Sequence, residues 1–181
     1  MTLINFIKTL SKDHKVAAIF PSTPFAAKKF ASEVKPHYKI VVEYGAGDGA
    51  VTKEILKKLP KDGKLFAVEL NLDFVNELKK INDDRLHILS TDVAKISKEL
   101  ETLGEIDMVI SGIPFTFFKP DIREEVIRDS YKALRPNGSI LLYQHYLLML
   151  PYLKRVCGKK NVRWYVEPRN FLPYWVMIGE K

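Results

Sequence analysis

The sequence predicts one α/β domain built on a doubly wound, mostly parallel β-sheet whose last strand is antiparallel. Short runs of β-branched and aromatic residues alternate with longer helical segments along the 181-residue chain, which is typical of a parallel sheet with crossover helices. No repeat or low-complexity stretch interrupts this alternation. Hydrophobic residues make up 46% of the chain, so a single core can form without a disulfide or a metal ion.

The parallel part of the predicted sheet contains five strands, each recognised as a short apolar run. They cover residues 39–44, 65–70, 86–89, 106–111 and 139–143. Helices are predicted at 50–59, 73–81 and 122–134, the last of them ending before the turn residues Pro136, Asn137 and Gly138. Because crossovers between parallel strands are right-handed, the functional crevice of such a sheet opens at the carboxyl ends of its strands.

Two segments lie outside this predicted core. Residues 161–181 indicate two strands around a turn at 169–173, with an antiparallel last strand at 175–179. Near the start of the chain, apolar residues recur at helical spacing and lysines follow them, which indicates an amphipathic helix in a membrane interface or a lid over the crevice. These apolar residues are Leu3, Ile4, Phe6, Ile7 and Leu10. We therefore divide the chain into a substrate-facing or membrane-facing segment, 1–38, and a core, 39–181.

The net charge of +7 is concentrated near the two ends of the chain. Residues 1–38 hold six lysines against two acids, and residues 147–181 hold seven basic side chains against two acids. Such flanks suit an anionic partner, either a phospholipid surface or RNA, although they also suit solubility alone.

Cysteine content and hydropathy indicate the cellular location of the protein. Cys157 is the only cysteine, so an intramolecular disulfide and a cysteine-rich zinc site are excluded. The most apolar stretch, 140–153, is shorter than the about 20 residues that span a bilayer. We therefore expect a cytoplasmic protein without a metal ion or a transmembrane segment, either free or peripheral at the inner membrane face.

The strongest motif is a glycine-rich turn at residues 43–49, directly after the first predicted strand. It has the pattern Glu-x-Gly-x-Gly-x-Gly, and glycines are needed where the backbone turns sharply or approaches a ligand. The glycine-rich turn by itself is compatible with two nucleotide ligands. The dinucleotide fingerprint accepts Ala50 as its third small residue, whereas the alternate glycines with Glu43 two positions ahead fit S-adenosylmethionine better.

Two further acids follow neighbouring strands. Glu69 ends the second predicted strand, where a carboxylate can accept hydrogen bonds from both ribose hydroxyls. Asp92 follows the third strand, and either contacts a ligand or caps the helix that comes next. A dinucleotide fingerprint makes no demand for this second acid.

With these residues in place, the chain resembles class I S-adenosylmethionine-dependent methyltransferases, which have a Rossmann-like sheet of seven strands. In that family the glycine loop wraps the methionine part of the cofactor, and the acid at the Glu43 position helps order it. The acid at the Asp92 position accepts from the adenine amine, and its neighbour packs on the ring. The resemblance implies S-adenosyl-L-methionine as cofactor and S-adenosyl-L-homocysteine as product. The implied binding residues are Glu43, Tyr44, Gly45, Ala46, Gly47, Gly49, Glu69, Leu70, Asp92, Val93 and Ser111.

The fourth strand ends in Ser-Gly-Ile-Pro-Phe at residues 111–115. Adenine methyltransferases acting on DNA or RNA have Asn/Asp-Pro-Pro-Tyr/Phe at this point, so the chain keeps the proline and the aromatic residue but loses the strong acceptor. The sequence is more similar to bacterial phospholipid N-methyltransferases, which resemble the rRNA adenine dimethyltransferases but have Ser-Gly-Leu-Pro here. Residues 16–23 and 169–173 are similar to two further segments of that phospholipid family.

The resemblance therefore implies an N-methyltransferase that acts on the amine of a phospholipid head group such as phosphatidylethanolamine. An rRNA adenine-type RNA methyltransferase is the alternative, and a cofactor-binding module without activity is a third possibility. An aliphatic amine with a pKa near ~10 must lose a proton before it attacks a methyl group, and aromatic faces attract the ammonium that forms. Candidates for the reacting site are Ser111, Gly112, Pro114, Phe115, Tyr143 and Tyr146, and candidates for substrate binding are Ser22, His145, Arg169 and Asn170.

Overall fold

The computed structural model describes residues 22–170 and 172–181, and these residues alternate between strands and helices. In chain order the strands are β1 Ile40–Tyr44, β2 Lys64–Val68, β3 Leu86–Leu89, β4 Ile106–Ser111, β5 Leu134–Gln144, β6 Val162–Glu167 and β7 Tyr174–Glu180. The α-helices are α1 Pro24–Ala31, α2 Ala50–Leu56, α3 Leu72–Leu78, α4 Ser97–Thr102, α5 Pro120–Ala133 and α6 Leu150–Cys157. The amphipathic segment expected at residues 3–10 lies outside the described residues.

The described strands form one sheet in the order β3-β2-β1-β4-β5-β7-β6. Strands β1 to β5 pair in parallel, and β7 runs antiparallel to both β5 and β6. The predicted doubly wound α/β fold with an antiparallel last strand is confirmed. The chain order reverses between β1 and β4, which is where an open α/β sheet forms its ligand crevice.

Strand β5 begins earlier than the sequence predicts. The turn expected at 136–138 lies within the strand, because Leu134 already pairs with Ile106 before the register shifts between Ile106 and Met108. Asn137 absorbs that irregularity with a φ of 65°. Helix α5 accordingly ends at Ala133 and passes directly into the strand.

Two apolar layers cover the sheet, and side chains of successive strand residues alternate between them. One layer contains Val42 and Tyr44 of β1 with residues of α4, α5 and α6. The other contains Val41 of β1 with residues of α1 and α2. Glu43 is two residues from Val41, so its side chain is directed toward the layer formed by α1 and α2.

Helix α1 belongs to this second layer. Its Ala26, Ala27, Phe30 and Ala31 are all buried, so residues 24–31 pack on the sheet. Thr23 begins the helix, since its hydroxyl accepts from the Ala26 amide at 3.2 Å, a normal N-cap contact. The helix therefore places the residues before it near the ends of β5 and β7.

Candidate active site

Polar residues converge where the parallel strands end. The register pairs Tyr44 of β1 with Val68 of β2 and with Ser111 of β4, and Ser111 in turn with Leu142 of β5. The residues in and just after these strand ends therefore share one edge of the sheet. Those with functional groups there are Glu43, Glu69, Asp92, Ser111 and Tyr143.

The glycine loop has a distinct reason for each of its glycines. Gly45 has a φ of +73°, and a Cβ there would lie 2.6 Å from a methyl group of Ile113. Gly49 has a φ of +79° and precedes α2. Gly47 has a φ of +55°, but a Cβ built on it would have no atom within 4 Å. The open side of Gly47 is where a ligand can approach the backbone.

Glu69 ties this loop to the end of β2. Its Oε2 accepts from the Gly47 amide at 2.9 Å, and its Oε1 accepts from the amides of Leu70 and Asn71 at 2.8 Å each. Glu69 as a residue is only 9% exposed. A carboxylate oxygen can accept two hydrogen bonds, so Oε2 keeps capacity for a ribose hydroxyl. The bond to Gly47 was not foreseen from the sequence.

Glu43 is fully buried beneath the loop. Its Oε2 accepts from the Thr52 hydroxyl at 2.6 Å, whereas its Oε1 has no hydrogen-bond partner among the described residues. Burial raises the pKa of this carboxyl to about 8, and the nearby charges of Glu69 and Asp48 act in the same direction. An ionised carboxylate with a buried oxygen that has no donor is costly, so at pH 7 the carboxyl is mostly neutral.

Asp92 caps the helical turn that follows it, which is one of the two roles expected from the sequence. Its Oδ1 accepts from the Ala94 amide at 3.0 Å and caps the short 3-10 turn Val93–Lys95. The cap occupies one carboxylate oxygen, so contact between the other and an adenine amine stays a prediction. Val93 is 6% exposed and belongs to the core layer that contains residues of α4, α5 and α6.

Two residues predicted to bind the cofactor direct their side chains into the core. Tyr44 is 1% exposed, and its hydroxyl lies 3.0 Å from the Ser130 hydroxyl of α5. Ser111 is fully buried, and its hydroxyl has no partner among the described residues. Only the backbone of Tyr44 takes part in the strand-end structure, because its carbonyl accepts from the Gly112 amide at 3.2 Å.

The acceptor side of the crevice is built around a contact between Gly112 and Tyr143. A Cβ at Gly112 would lie 2.5 Å from the Tyr143 ring carbon Cε2 and closer still to its hydroxyl. The phenol of Tyr143 therefore fills the space in which a side chain at position 112 would lie. Both residues were predicted from the sequence to belong to the reacting site. The contact between β4 and β5 explains why position 112 is glycine.

Other aromatic rings hold the Tyr143 ring in place. It stacks on Phe30 of α1 with a centroid distance of 4.2 Å and meets Tyr174 of β7 edge-on at 5.4 Å. Burial raises the pKa of Tyr143 well above its usual value, and the charge of Glu43 adds to this, while a hydrogen bond with Ser22 opposes it. The phenol is therefore neutral at physiological pH. The predicted substrate residue Ser22 thus lies beside it.

Arg169 and Asn170, predicted to bind substrate, have structural partners. The Arg169 guanidinium donates to the buried Glu167 carboxylate through Nε at 2.8 Å and Nη2 at 2.9 Å. The Asn170 side chain accepts from the Thr23 amide at 2.9 Å. This pair fixes the turn against the start of α1. A contact between Arg169 and an anionic substrate group stays a prediction, because Nε and Nη2 are engaged with Glu167.

Of the remaining predicted site residues, some are buried in the core and others lie at the exposed rim of the crevice. Phe115, predicted to face the substrate, is 0% exposed and packs against Phe118, so this prediction is corrected. Pro114 is exposed. The His145 ring stacks on Tyr174 at 4.5 Å, with Nδ1 3.1 Å from the Pro173 carbonyl. Tyr146 is 69% exposed, and so is reachable from solvent.

One exposed aromatic residue at the rim of the crevice was not predicted as a site residue. Phe117 is 37% exposed and lies two residues beyond the buried Phe115. The aromatic spacing in residues 115–118 cannot tell which ring turns inward, because the segment forms a 3-10 turn at Phe115–Phe117 rather than a strand or an α-helix. Gln144 secures the adjacent backbone by donating to the Ile113 carbonyl at 2.8 Å.

These residues fit S-adenosylmethionine better than a dinucleotide. Glu69 Oε2 accepts from the Gly47 amide and can accept one further hydrogen bond, as a ribose hydroxyl would donate. A pyrophosphate, in contrast, needs free loop amides, and the Gly47 amide already donates to Glu69. Within residues 22–170 and 172–181, no group of three or more potential ligands could hold a metal ion. In the same part of the chain, no helix combines the length and hydropathy needed to cross a bilayer.

Comparisons with known proteins agree with this geometry. The methyltransferase domain family matches residues 41–138. The chain is 25% identical to an ornithine lipid N-methyltransferase of Singulisphaera acidiphila, over 87% of this chain and 84% of that protein. It is 28% identical to a ribosomal RNA small subunit methyltransferase A of Mycoplasma capricolum, over 68% of this chain but only 43% of that protein.

Solved structures share the fold. TrmN from Thermus thermophilus superposes with a TM-score of 0.69 over 91% of this chain and 51% of that chain, at 17% identity. A precorrin-6y C5,15-methyltransferase from Geobacter metallireducens superposes with a TM-score of 0.63 over 91% of this chain and 87% of that chain, at 18% identity. At such identities the likeness establishes the architecture.

Proposed function

Since the chain belongs to the methyltransferase domain family and is an S-adenosylmethionine-dependent methyltransferase, we propose that it methylates the primary amine of a lipid head group. Phosphatidylethanolamine and ornithine lipids are members of this substrate class, because each carries an aliphatic amine on a polar head attached to acyl chains. The similarity to an ornithine lipid N-methyltransferase over most of both chains supports the proposal.

The observation that carries the proposal is the Tyr143 phenol above Gly112. Adenine methyltransferases have an asparagine or aspartate acceptor in this motif, whereas here Tyr143 leaves no room for a side chain at position 112. The hydrogen-bonding group comes instead from β5 and is embedded among the rings of Phe30 and Tyr174. A neutral oxygen within an aromatic setting suits an aliphatic amine better than a planar base.

The chain's own residues would then act by binding and orientation. When bound, S-adenosylmethionine supplies a methyl group on an activated sulfonium, so alignment matters more than acid–base strength. Glu43, Gly47 and Glu69 would hold that cofactor at the loop. The Tyr143 hydroxyl oxygen would accept an N–H of the neutral amine and direct its lone pair toward the methyl group. An aromatic face beside the amine would attract the positive charge that develops on the nitrogen.

An RNA acceptor is the competing function, since ribosomal RNA methyltransferases are among the relatives. To distinguish the two, the full chain is incubated with methyl-labelled cofactor and one of three acceptors. These are phosphatidylethanolamine or ornithine lipid in detergent micelles, the same lipids acetylated on the amine, and small-subunit ribosomal RNA. We expect label only in the lipids with a free amine. Label in RNA without label in any lipid would overturn the proposal.

Tyr143→Phe provides the matching variant. It keeps the ring stacked on Phe30 but removes the oxygen, so we expect kcat on the aminolipid to fall about 100-fold with cofactor affinity unchanged. Tyr165→Phe is the control. Tyr165 lies on β6, away from the crevice, and the variant removes a hydroxyl that donates to Glu33 at 3.2 Å. Equal kcat values for the two variants would exclude a role for the Tyr143 oxygen.

A further inference from the structure

We propose that one face of the β6–β7 hairpin docks on an anionic lipid bilayer and thereby presents the crevice to its substrate. The inference rests on the proposed function, because a bilayer is where an aminolipid is found. We define the indole face as Trp164, Val166 and Trp175. Trp164 is 47% exposed and Val166 is 42% exposed, although both are large apolar residues on a strand.

The indole face is one contiguous surface. Trp164 and Trp175 lie with ring centroids 5.3 Å apart, and Val166 pairs directly with Trp175 across the two strands. Strand β6 is at the edge of the sheet. An exposed apolar surface on an edge strand invites aggregation unless it has a partner, so its presence here calls for one.

The opposite face of β6 has polar partners within the chain. Arg163 donates to Glu33 at 2.6 Å, Tyr165 donates to the same carboxylate, and the Lys29 ammonium lies 4.9 Å from the centre of the Tyr165 ring. The two faces of one strand therefore differ in kind. One is joined to the residues of and around α1 by polar contacts, and the other presents two indoles and a valine.

Charge next to the indole face indicates a lipid bilayer as the partner. Lys159 and Lys160 lie in the 3-10 turn that leads directly into β6, and both are exposed. Neither has a salt bridge within the described part of the chain, whereas the neighbouring Arg155 and Arg163 are paired with Glu124 and Glu33. Indoles prefer the head-group level of a membrane, and unpaired lysines favour anionic lipids. Both features lie on one short stretch of chain.

The indole face also ends close to the crevice. Val166 pairs with Trp175, and Trp175 pairs with Gln144 at the end of β5. Neighbouring strands are about 4.8 Å apart, so Val166 and Gln144 are separated by roughly 10 Å. Gln144 adjoins Tyr143 and donates to the Ile113 carbonyl. The indole face therefore reaches the carboxyl end of β5, at the edge of the sheet where the crevice opens, whereas the Tyr143 side chain itself lies on the α1 face.

The protein offers a direct optical test, because Trp164 and Trp175 are its only two tryptophans. All tryptophan fluorescence comes from the indole face. On adding vesicles of equal parts phosphatidylglycerol and phosphatidylethanolamine, we expect a blue shift of the emission and weaker quenching by acrylamide. Vesicles of phosphatidylcholine alone should cause little change. Brominated lipids should quench the emission in the anionic vesicles.

Two pairs of matched variants locate the contact. Trp164→Ser should weaken binding to the anionic vesicles about tenfold, whereas Leu72→Ser removes a 68% exposed residue from α3 and should have no effect. Lys159→Gln with Lys160→Gln should also weaken binding, whereas Lys58→Gln with Lys61→Gln removes equal charge elsewhere and should not. Vesicle sedimentation measures all four variants.

Activity separates this inference from the proposed function. Trp164→Ser should lower methyl transfer to aminolipid in vesicles and leave transfer in detergent micelles unchanged. No transfer to any lipid would defeat the proposed function itself. Vesicle binding with unchanged tryptophan emission would overturn the docking inference, and so would equal losses in vesicles and micelles. Absence of vesicle binding, or an emission shift with RNA alone, would overturn it as well.

Discussion

The two halves of the crevice are assembled in different ways. The cofactor half lies at the ends of β1, β2 and β3, and each of its groups lies in the strand that positions it or within three residues of its end. The acceptor half joins residues that are far apart in the sequence, namely Ser22, Phe30, Gly112, Tyr143 and Tyr174. Local backbone geometry determines the first half, and packing between distant segments determines the second. The first can therefore be predicted from short motifs, and the second cannot.

The largest expected effect is that of Gly112→Ala, which perturbs only the acceptor half of the crevice. The new methyl group would overlap the Tyr143 hydroxyl, and the ring cannot move freely between Phe30 and Tyr174. We expect methyl transfer to fall by about 100-fold or more through misplacement of the site, and stability to fall by about 1–3 kcal/mol. Steady-state kinetics and thermal unfolding measure the two effects.

A double-mutant cycle tests the cause of the Gly112→Ala effect. In a Tyr143→Ala background, the substitution should cost almost no stability, because the atoms that it overlaps are gone. Cofactor affinity, measured by calorimetry, should stay close to that of the unaltered protein. A full loss of cofactor binding would show that the two halves are not separable in this way.

Glu69→Ala is the corresponding change in the cofactor half. It removes the acceptor of three backbone amides, those of Gly47, Leu70 and Asn71. Hydrogen bonds to a charged group are worth about 1.5–3 kcal/mol each, and the loop should lose its fixed position. We expect affinity for S-adenosylhomocysteine to fall about 10–100-fold in calorimetry. The Tyr143 ring should be unaffected, and Asp83→Ala, a change outside the crevice, should leave the affinity as it is.

The contrast between the halves also shows which predictions from sequence succeed. The strands around the glycine turn and the antiparallel last strand follow from hydrophobic runs and turn residues, and the sheet has both. Phe115 and Arg169 have structural contacts that the sequence motifs alone do not predict. Phe115 turns into the core through a 3-10 turn, and Arg169 is held by Glu167, two residues earlier but brought beside it by the strand end.

Helix α1 illustrates the same limit. Residues 24–31 have few polar positions by which to orient the helix, and their burial depends on the face of the sheet offered by β1 and β5. The Asn170 contact with Thr23 joins segments 147 positions apart in the chain. No local pattern predicts such a contact, although an Asn beside a predicted turn is a signal that a side chain can cap another segment.

The last expected effect is a pH dependence of stability, and it concerns the protonation of Glu43. Its pKa is raised by burial to about 8 in the folded protein, above the value of about 4.3 expected in the unfolded chain. Between these pKa values the folded state binds more protons than the unfolded state, so this group lowers stability as pH rises from about 4 to 8. We expect Glu43→Gln to remove that slope, which for one proton is at most ~1.4 kcal/mol per pH unit.

The same linkage distinguishes the cofactor from its product. S-adenosylmethionine carries a sulfonium that S-adenosylhomocysteine lacks, and a cation near Glu43 favours its charged form. Binding of S-adenosylmethionine at pH 7 should therefore release a larger fraction of a proton than binding of the product. Calorimetry in two buffers with different ionisation enthalpies measures the difference, which should vanish in Glu43→Gln. If it persists there, another group titrates, and Glu43 is only a structural partner of Thr52 in the cofactor half.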